Sequence, residues 1–147
     1  RNVANVVTHT DVNCLSVLQF AVDVLQVKHV ILCGHYGCGG VNAAIDGRPL
    51  GLIDNWLRHI KDVYYQHRKT FDKIEDLKLK QDKLAELNVR ASVLNLCHST
   101  IVQDCWKRGQ ELHIHGWIYA ITDGLLKDLK LSLSGPEQLH QIYVMTE

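Results

Sequence analysis

Val30-Ile31-Leu32-Cys33-Gly34-His35-Tyr36-Gly37-Cys38-Gly39-Gly40 starts as an apolar, β-branched run and ends in a glycine-rich turn. The run Lys28 to Cys33 predicts a short strand buried on both faces, of the kind found in parallel sheets. The turn after it presents His35 and Cys38, three residues apart, at the C-terminal end of that strand. Ligand sites of open parallel sheets lie at such ends. Imidazole nitrogen and thiolate sulfur are preferred zinc ligands, and three protein ligands with a water make an open catalytic site. The turn supplies two.

His35 and Cys38 converge on one metal if the turn is nearly helical, and a helix N-terminus near Cys38 favours its thiolate. Gly37, Gly39 and Gly40 allow close backbone approach to a small ligand and leave amide N–H groups free for an anion. On spacing alone, His-x-x-Cys is also a common chance occurrence. A dinucleotide fingerprint fails, because Asn42 stands where the third glycine belongs. A P-loop fails as well, since no Gly-Lys-Ser/Thr follows. Cys33 and Cys38 do not form a Cys-x-x-Cys redox pair, and Cys33 is expected to be a core strand residue.

Outward from this stretch, Thr10-Asp11 caps a predicted helix running through Gln26, with Leu15, Leu18, Ala21, Val22 and Leu25 at helical spacing. A short helix is expected from Cys38 to Ile45, ending near Gly47 and Pro49. Leu50 to Phe71 reads as an amphipathic helix through Ile53, Leu57, Ile60 and Tyr64, followed by a charged surface connection from Asp72 to Asp82. Leu84 to Lys107 reads as one long helix. Its apolar side runs through Leu87, Ala91, Leu94, Cys97 or His98, Ile101 and Cys105, and Gly109 ends it. A strand at Glu111–Ala120, a turn at Thr122-Asp123-Gly124, a strand at Leu125–Leu133 and a helix at Pro136–Tyr143 complete the chain. This order is that of an α/β domain spanning 1–147, with a mostly parallel sheet, an antiparallel edge strand and helical crossovers. The opening lacks a strand that normally precedes such a helix, so a first strand is expected to be absent.

The 147 residues carry 16 basic and 16 acidic side chains, a balance that gives no field for nucleic acid or an anionic membrane. No apolar run reaches the roughly 18 residues of a membrane span. Five cysteines, an odd number without a secreted disulfide pattern, point to a reducing, cytoplasmic compartment. The residues after Arg1 are not expected to form a signal peptide, in a sequence that opens without methionine.

These residues together carry a family resemblance. Cys33-Gly-His-Tyr-Gly-Cys-Gly-Gly40, preceded by Arg1-Asn-Val-Ala-Asn5 and Cys14-Leu-Ser-Val17, resembles a bacterial β-class carbonic anhydrase. Further similarities run along the chain: Leu50-Gly-Leu-Ile-x-Asn-Trp-Leu57, Asn88-Val89, Asn95-Leu96, Ser99-Thr100 and His115-Gly-Trp-x-Tyr119.

The resemblance implies zinc-dependent, reversible hydration of carbon dioxide to bicarbonate and a proton, with Zn2+ held by two cysteines and one histidine. His35 and Cys38 match two of these ligands. The third belongs to a Cys-x-Asp-Ser-Arg motif whose aspartate and arginine gate the fourth zinc position, and these 147 residues do not contain that motif. The resemblance thus implies an N-terminally incomplete domain that is inactive or nearly so by itself, or one that serves only as an assembly or zinc-binding module. Cys14, Cys97 and Cys105 fall at helical core positions, and strand alternation is expected to aim Cys33 away from the turn. The resemblance also implies a homodimer or homotetramer. In one bacterial subgroup it further implies a noncatalytic bicarbonate pocket, to which Arg1 and Tyr119 would contribute. Of the remaining histidines, only His113-x-His115 falls on one strand face, where it reads as polar decoration. Trp56, Trp106 and Trp117 read as core or interface anchors.

Overall fold

The computed structural model describes residues 2–145. Asp11 caps helix α1 (Val12–Gln19), accepting from the amide of Cys14, and a π-helical turn at Phe20–Val24 extends it. Strand β1 (His29–His35) follows, then helices α2 (Gly39–Asp46), α3 (Ile53–Gln66), α4 (Arg68–Phe71), α5 (Leu77–His98) and α6 (Thr100–Lys107). Strands β2 (His113–Ala120) and β3 (Leu125–Leu133) close the sheet.

The sheet order is β1-β2-β3. β1 and β2 are parallel, with His29 opposite His113 and His35 opposite Tyr119, whereas β2 and β3 are antiparallel with a bulge at Gly116/Trp117. The expected α/β class and antiparallel edge are both present, in a mixed three-stranded sheet.

α5 packs across β1 and β2 and carries the centre of the core, where Leu84, Val89, Val93 and Cys97 are fully buried. Fully buried apolar side chains of this size each contribute about 1.5–3 kcal/mol relative to exposure. Only one face of β1 is covered. Leu32 is buried, whereas Ile31 is 47% exposed and Cys33 is exposed. The expectation of burial on both faces is therefore wrong for this strand. A continuous apolar run reports composition, and only packing partners decide which face is covered.

Four helix boundaries also differ from expectation. The single helix expected over Leu50–Phe71 starts at Ile53 and is broken at His67, whose non-helical φ/ψ separates Ile53–Gln66 from Arg68–Phe71. The single helix at Leu84–Lys107 is two helices, because Ser99 adopts extended φ/ψ and caps α6 through its Oγ on the amide of Val102. α5 starts seven residues earlier, at Leu77, where the Asp76 side chain accepts from the amide of Leu79 at 2.8 Å. The stretch Pro136–Tyr143 forms two 3-10 turns, Pro136–Gln138 and Gln141–Tyr143, too short for an α-helix.

Candidate metal centre

His35 is the last residue of β1, and Cys38 is the N-cap of α2. Between them the chain turns through Gly37 at φ +68°, a left-handed conformation that any side chain would strain. The Nδ1 of His35 lies 2.9 Å from the carbonyl oxygen of Tyr36. A carbonyl only accepts, so Nδ1 carries the proton and Nε2 is left with its lone pair free. Fixing one ring nitrogen in this way is how proteins orient an imidazole for a metal. The Cys38 side chain is buried beneath the turn.

Tyr36 is held from three sides. Its amide donates to the carbonyl of Tyr119 at 3.0 Å, and its hydroxyl donates to Glu86 of α5 at 2.6 Å. Lys127 of β3 donates to both Glu86 (2.9 Å) and the Tyr36 hydroxyl (3.2 Å). Burial alone would raise the Glu86 carboxyl, but hydrogen bonds from Tyr36 and Lys127, and the charges of Lys127 and Lys83, bring it below the usual carboxylate range. Burial and the Glu86 hydrogen bond push the Tyr36 phenol up, against the opposing Lys127.

Beside His35 lies a cleft of about 390 Å³ lined by Asn2, Ala4, Asn5, Cys33 and His35. The N-terminal segment forming its far wall is pinned by polar side chains of α5. Asn88 Nδ2 donates to the Ala4 carbonyl (2.7 Å), Asn95 Nδ2 to the Val7 carbonyl (2.8 Å), and the Val7 amide to Ser92 Oγ (3.3 Å). Trp56 Nε1 of α3 adds a bond to the Val3 carbonyl at 2.9 Å. Gly34 makes the approach possible, since a Cβ there would lie 2.6 Å from Val89 Cγ2 and 3.0 Å from Asn5 Oδ1. The buried Asn5 Nδ2 has no hydrogen-bond partner among the described residues.

Cys33 is not a core residue. Cys33 and His35 are alternate positions of β1, so the pleat sends both to the same face, and both line the cleft. Strand alternation therefore aims Cys33 toward the His35 side rather than away from it. Partial burial raises its thiol pKa. Cys97 and Cys105 are buried and Cys14 is half-buried against the core, with burial pushing the Cys97 thiol up to about 12.

Tyr119 stands directly across the parallel pair from His35, and Arg1 lies outside the described residues. Of the turn glycines, Gly39 borders open space, while a Cβ on Gly40 would press on Ala4 and Val3 at 3.1 and 3.2 Å.

The donors at this turn fit zinc in kind, a free imidazole nitrogen and a thiol, but not in number. Among the described residues, no three His, Cys, Asp or Glu side chains are gathered to hold a metal. Asn88 and Asn95 stand out in the sequence as points of family similarity, and the structure gives them their role as tethers. Their signal was present, as Asn88, Ser92 and Asn95 are polar positions at helical spacing on the core face of α5.

Residues 1–126 match the family model described as carbonic anhydrase. The chain is 42% identical over 148 residues to a carbonic anhydrase of Emericella nidulans, covering 100% of this chain and 65% of the relative. It is 34% identical to one of Candida albicans, covering 97% and 51%. The structure superposes on a β-carbonic anhydrase of Coccomyxa with a TM-score of 0.89 at 38% identity, covering 93% of this chain and 62% of that one. A tetrameric β-carbonic anhydrase of Sordaria macrospora gives 0.83 at 38% identity, covering 90% and 68%. Fungal, algal, plant and bacterial proteins all appear among the relatives, so the class is shown without a bacterial subgroup.

Proposed function

The chain belongs to the β-class carbonic anhydrases, and on that premise we propose that it forms part of a zinc enzyme for the reversible hydration of carbon dioxide to bicarbonate and a proton. The observation that carries this reading is the pairing of a buried Cys38 with a His35 whose Nδ1 is committed to the Tyr36 carbonyl. When bound, zinc supplies Lewis acidity that brings the pKa of a water near neutrality.

The residues of this chain have separate tasks. His35 offers Nε2 and Cys38 its sulfur as ligands. The Tyr36 carbonyl holds the imidazole in the required tautomer, and the Tyr36–Glu86–Lys127 network holds Tyr36. The cleft beside His35 leaves space for a molecule the size of carbon dioxide, and the proton passes to solvent or buffer.

The third ligand, in this reading, comes from a Cys-x-Asp-Ser-Arg segment not contained in these 147 residues, on a strand beside β1. Two features support this. β1 is an edge strand, and a groove of about 360 Å³ separates it from the extended Val6–Val7 segment. The chain also spans 65% and 51% of the Emericella and Candida relatives. By itself, then, this polypeptide turns over little or no carbon dioxide. The competing reading, an inactive assembly or zinc-binding module, draws on the same lack of a third ligand among the described residues.

A homodimer or homotetramer is part of the proposal. Exposed Val17, Phe20, Val24 and Leu25 on and after α1, and the tetrameric Sordaria relative, support it. A reducing, cytoplasmic location is likewise proposed, on the five free thiols. No helix among the described residues is long and apolar enough to cross a membrane.

Stopped-flow carbon dioxide hydration, with zinc analysis, on this polypeptide and on one extended by the Cys-x-Asp-Ser-Arg segment tests the reading. Turnover only in the extended protein is expected. Equal turnover in both refutes the missing-ligand proposal, and zinc-loaded but inactive proteins refute the enzymatic one.

A further inference from the structure

The sheet face turned away from α5 carries a cluster that the proposed reaction does not use. His29 opens β1 directly opposite His113 on β2, and His115 lies two residues further along the same face of β2. The ring centroids are 5.1 Å apart for His29 and His113, 5.3 Å for His29 and His115, and 6.2 Å for His113 and His115. His29 Nδ1 stands 3.0 Å from His115 Nε2. The other nitrogen of His115, Nδ1, lies 2.8 Å from Ser132 Oγ on β3.

Two imidazole nitrogens that each sit about 2.0–2.1 Å from a metal ion, at square or tetrahedral angles, are about 2.9–3.3 Å apart. His29 and His115 already have that spacing. From this geometry we propose that His29, His113 and His115 form a surface binding site for a transition-metal dication of the Cu2+, Ni2+ or Zn2+ class, separate from the His35–Cys38 turn.

No three ligands among the described residues are gathered closely enough to hold an ion as they stand. The cluster therefore works as a two-nitrogen bite that a third ring completes. His113 reaches in by turning its ring, giving up its stack on His29 and a 3.5 Å contact between Nε2 and Glu111 at a solvent-accessible position. Such exposed pairs contribute little to stability. Water fills the remaining coordination positions.

Ser132 supplies what metal-ligating histidines usually have, a hydrogen bond on the far nitrogen that fixes ring orientation. An ion entering between His29 and His115 replaces the proton they share, and that proton moves to the solvent-facing nitrogen of His29. Burial, then the neighbouring His29 and His113, hold the His115 pKa below its ordinary value against the pull of Asp128. For an all-imidazole site Cu2+ binds tightest, ahead of Ni2+ and Zn2+.

The test is calorimetric titration of Cu2+ and Ni2+ into the protein carrying His35→Ala and Cys38→Ser, which removes the other donor pair. A single class of site is expected, with Cu2+ giving an electron paramagnetic resonance spectrum split by nitrogen ligands. Adding His29→Ala and His115→Ala should weaken binding more than about 100-fold, and Ser132→Ala about tenfold, as for loss of an outer partner. His29→Gln alone, at an exposed strand start, tests the same bite without touching the interior. No binding in the starting variant, or unchanged affinity after loss of His29 and His115, overturns the proposal.

Discussion

Asn88 donates through Nδ2 to the carbonyl of Ala4 at 2.7 Å, a buried bond across 84 residues of sequence that sets the far wall of the His35 cleft. Asn88→Ala leaves that carbonyl buried and unpaired, which costs about 1–3 kcal/mol. Urea unfolding should show a lower midpoint with an unchanged slope. A shift below about 0.3 kcal/mol would mean that the tether carries no weight.

Gly34 faces Val89 and Asn5 with no room for a methyl group. Gly34→Ala should destabilise the fold by about 1–3 kcal/mol through overpacking. Thermal unfolding checks the direction. A neutral result would show that α5 and the N-terminal segment can move apart.

His35 and Cys38 should behave as ligands in the protein extended by the Cys-x-Asp-Ser-Arg segment. His35→Ala or Cys38→Ser should each lower zinc affinity by more than about 100-fold, beyond the loss typical of an outer partner. Competition with a chelating dye measures this directly. Retention of stoichiometric, tight zinc in either variant would remove that residue from the site.

His98 stacks on Tyr143 at 3.8 Å and faces His9 at 6.2 Å. Burial, and then His9, hold its pKa below the ordinary 6.5, so the folded protein favours the neutral ring. Below about pH 6.5 the unfolded chain binds more protons than the folded one. Stability present above that pH is therefore lost as pH falls through the folded-state value. The unfolding temperature should drop as pH falls below about 6.5. The drop should be shallower in His98→Phe, and an identical slope would exclude His98 as its source.

Tyr119 pairs across the sheet with His35. If bicarbonate regulates the extended enzyme through this tyrosine, Tyr119→Phe should weaken bicarbonate inhibition about tenfold, the scale of one hydrogen bond to a charged group. Initial rates against bicarbonate concentration report it, and an unchanged inhibition curve discounts the pocket.

Much of this architecture was readable in the chain. The run into Cys33 and the turn around Gly37 located both the strand and the donor pair, because β-branched residues and a required left-handed glycine act locally. Asp11 and Gly47 marked helix ends for the same reason. The break at Ser99 is not legible from spacing, because the apolar pattern continues across it; the extended backbone of Ser99 and its side-chain cap on Val102 make the change of direction. The exposure of Cys33 is not legible locally, because it depends on what covers one sheet face, a property of packing rather than of sequence. The grouping of His29 with His113 and His115 needed the β1–β2 register, which no local pattern contains.

The outer edge of β1 also governs how the polypeptide behaves in concentrated solution. Val30 to Cys33 has neither charge nor proline to blunt an edge, and Ile31 is 47% exposed. Open strands of this kind are templates on which other chains align and grow into aggregates. The same apolar run that specifies the sheet therefore makes solubility concentration-dependent, and a lysine placed at Ile31 would act as a gatekeeper against precipitation.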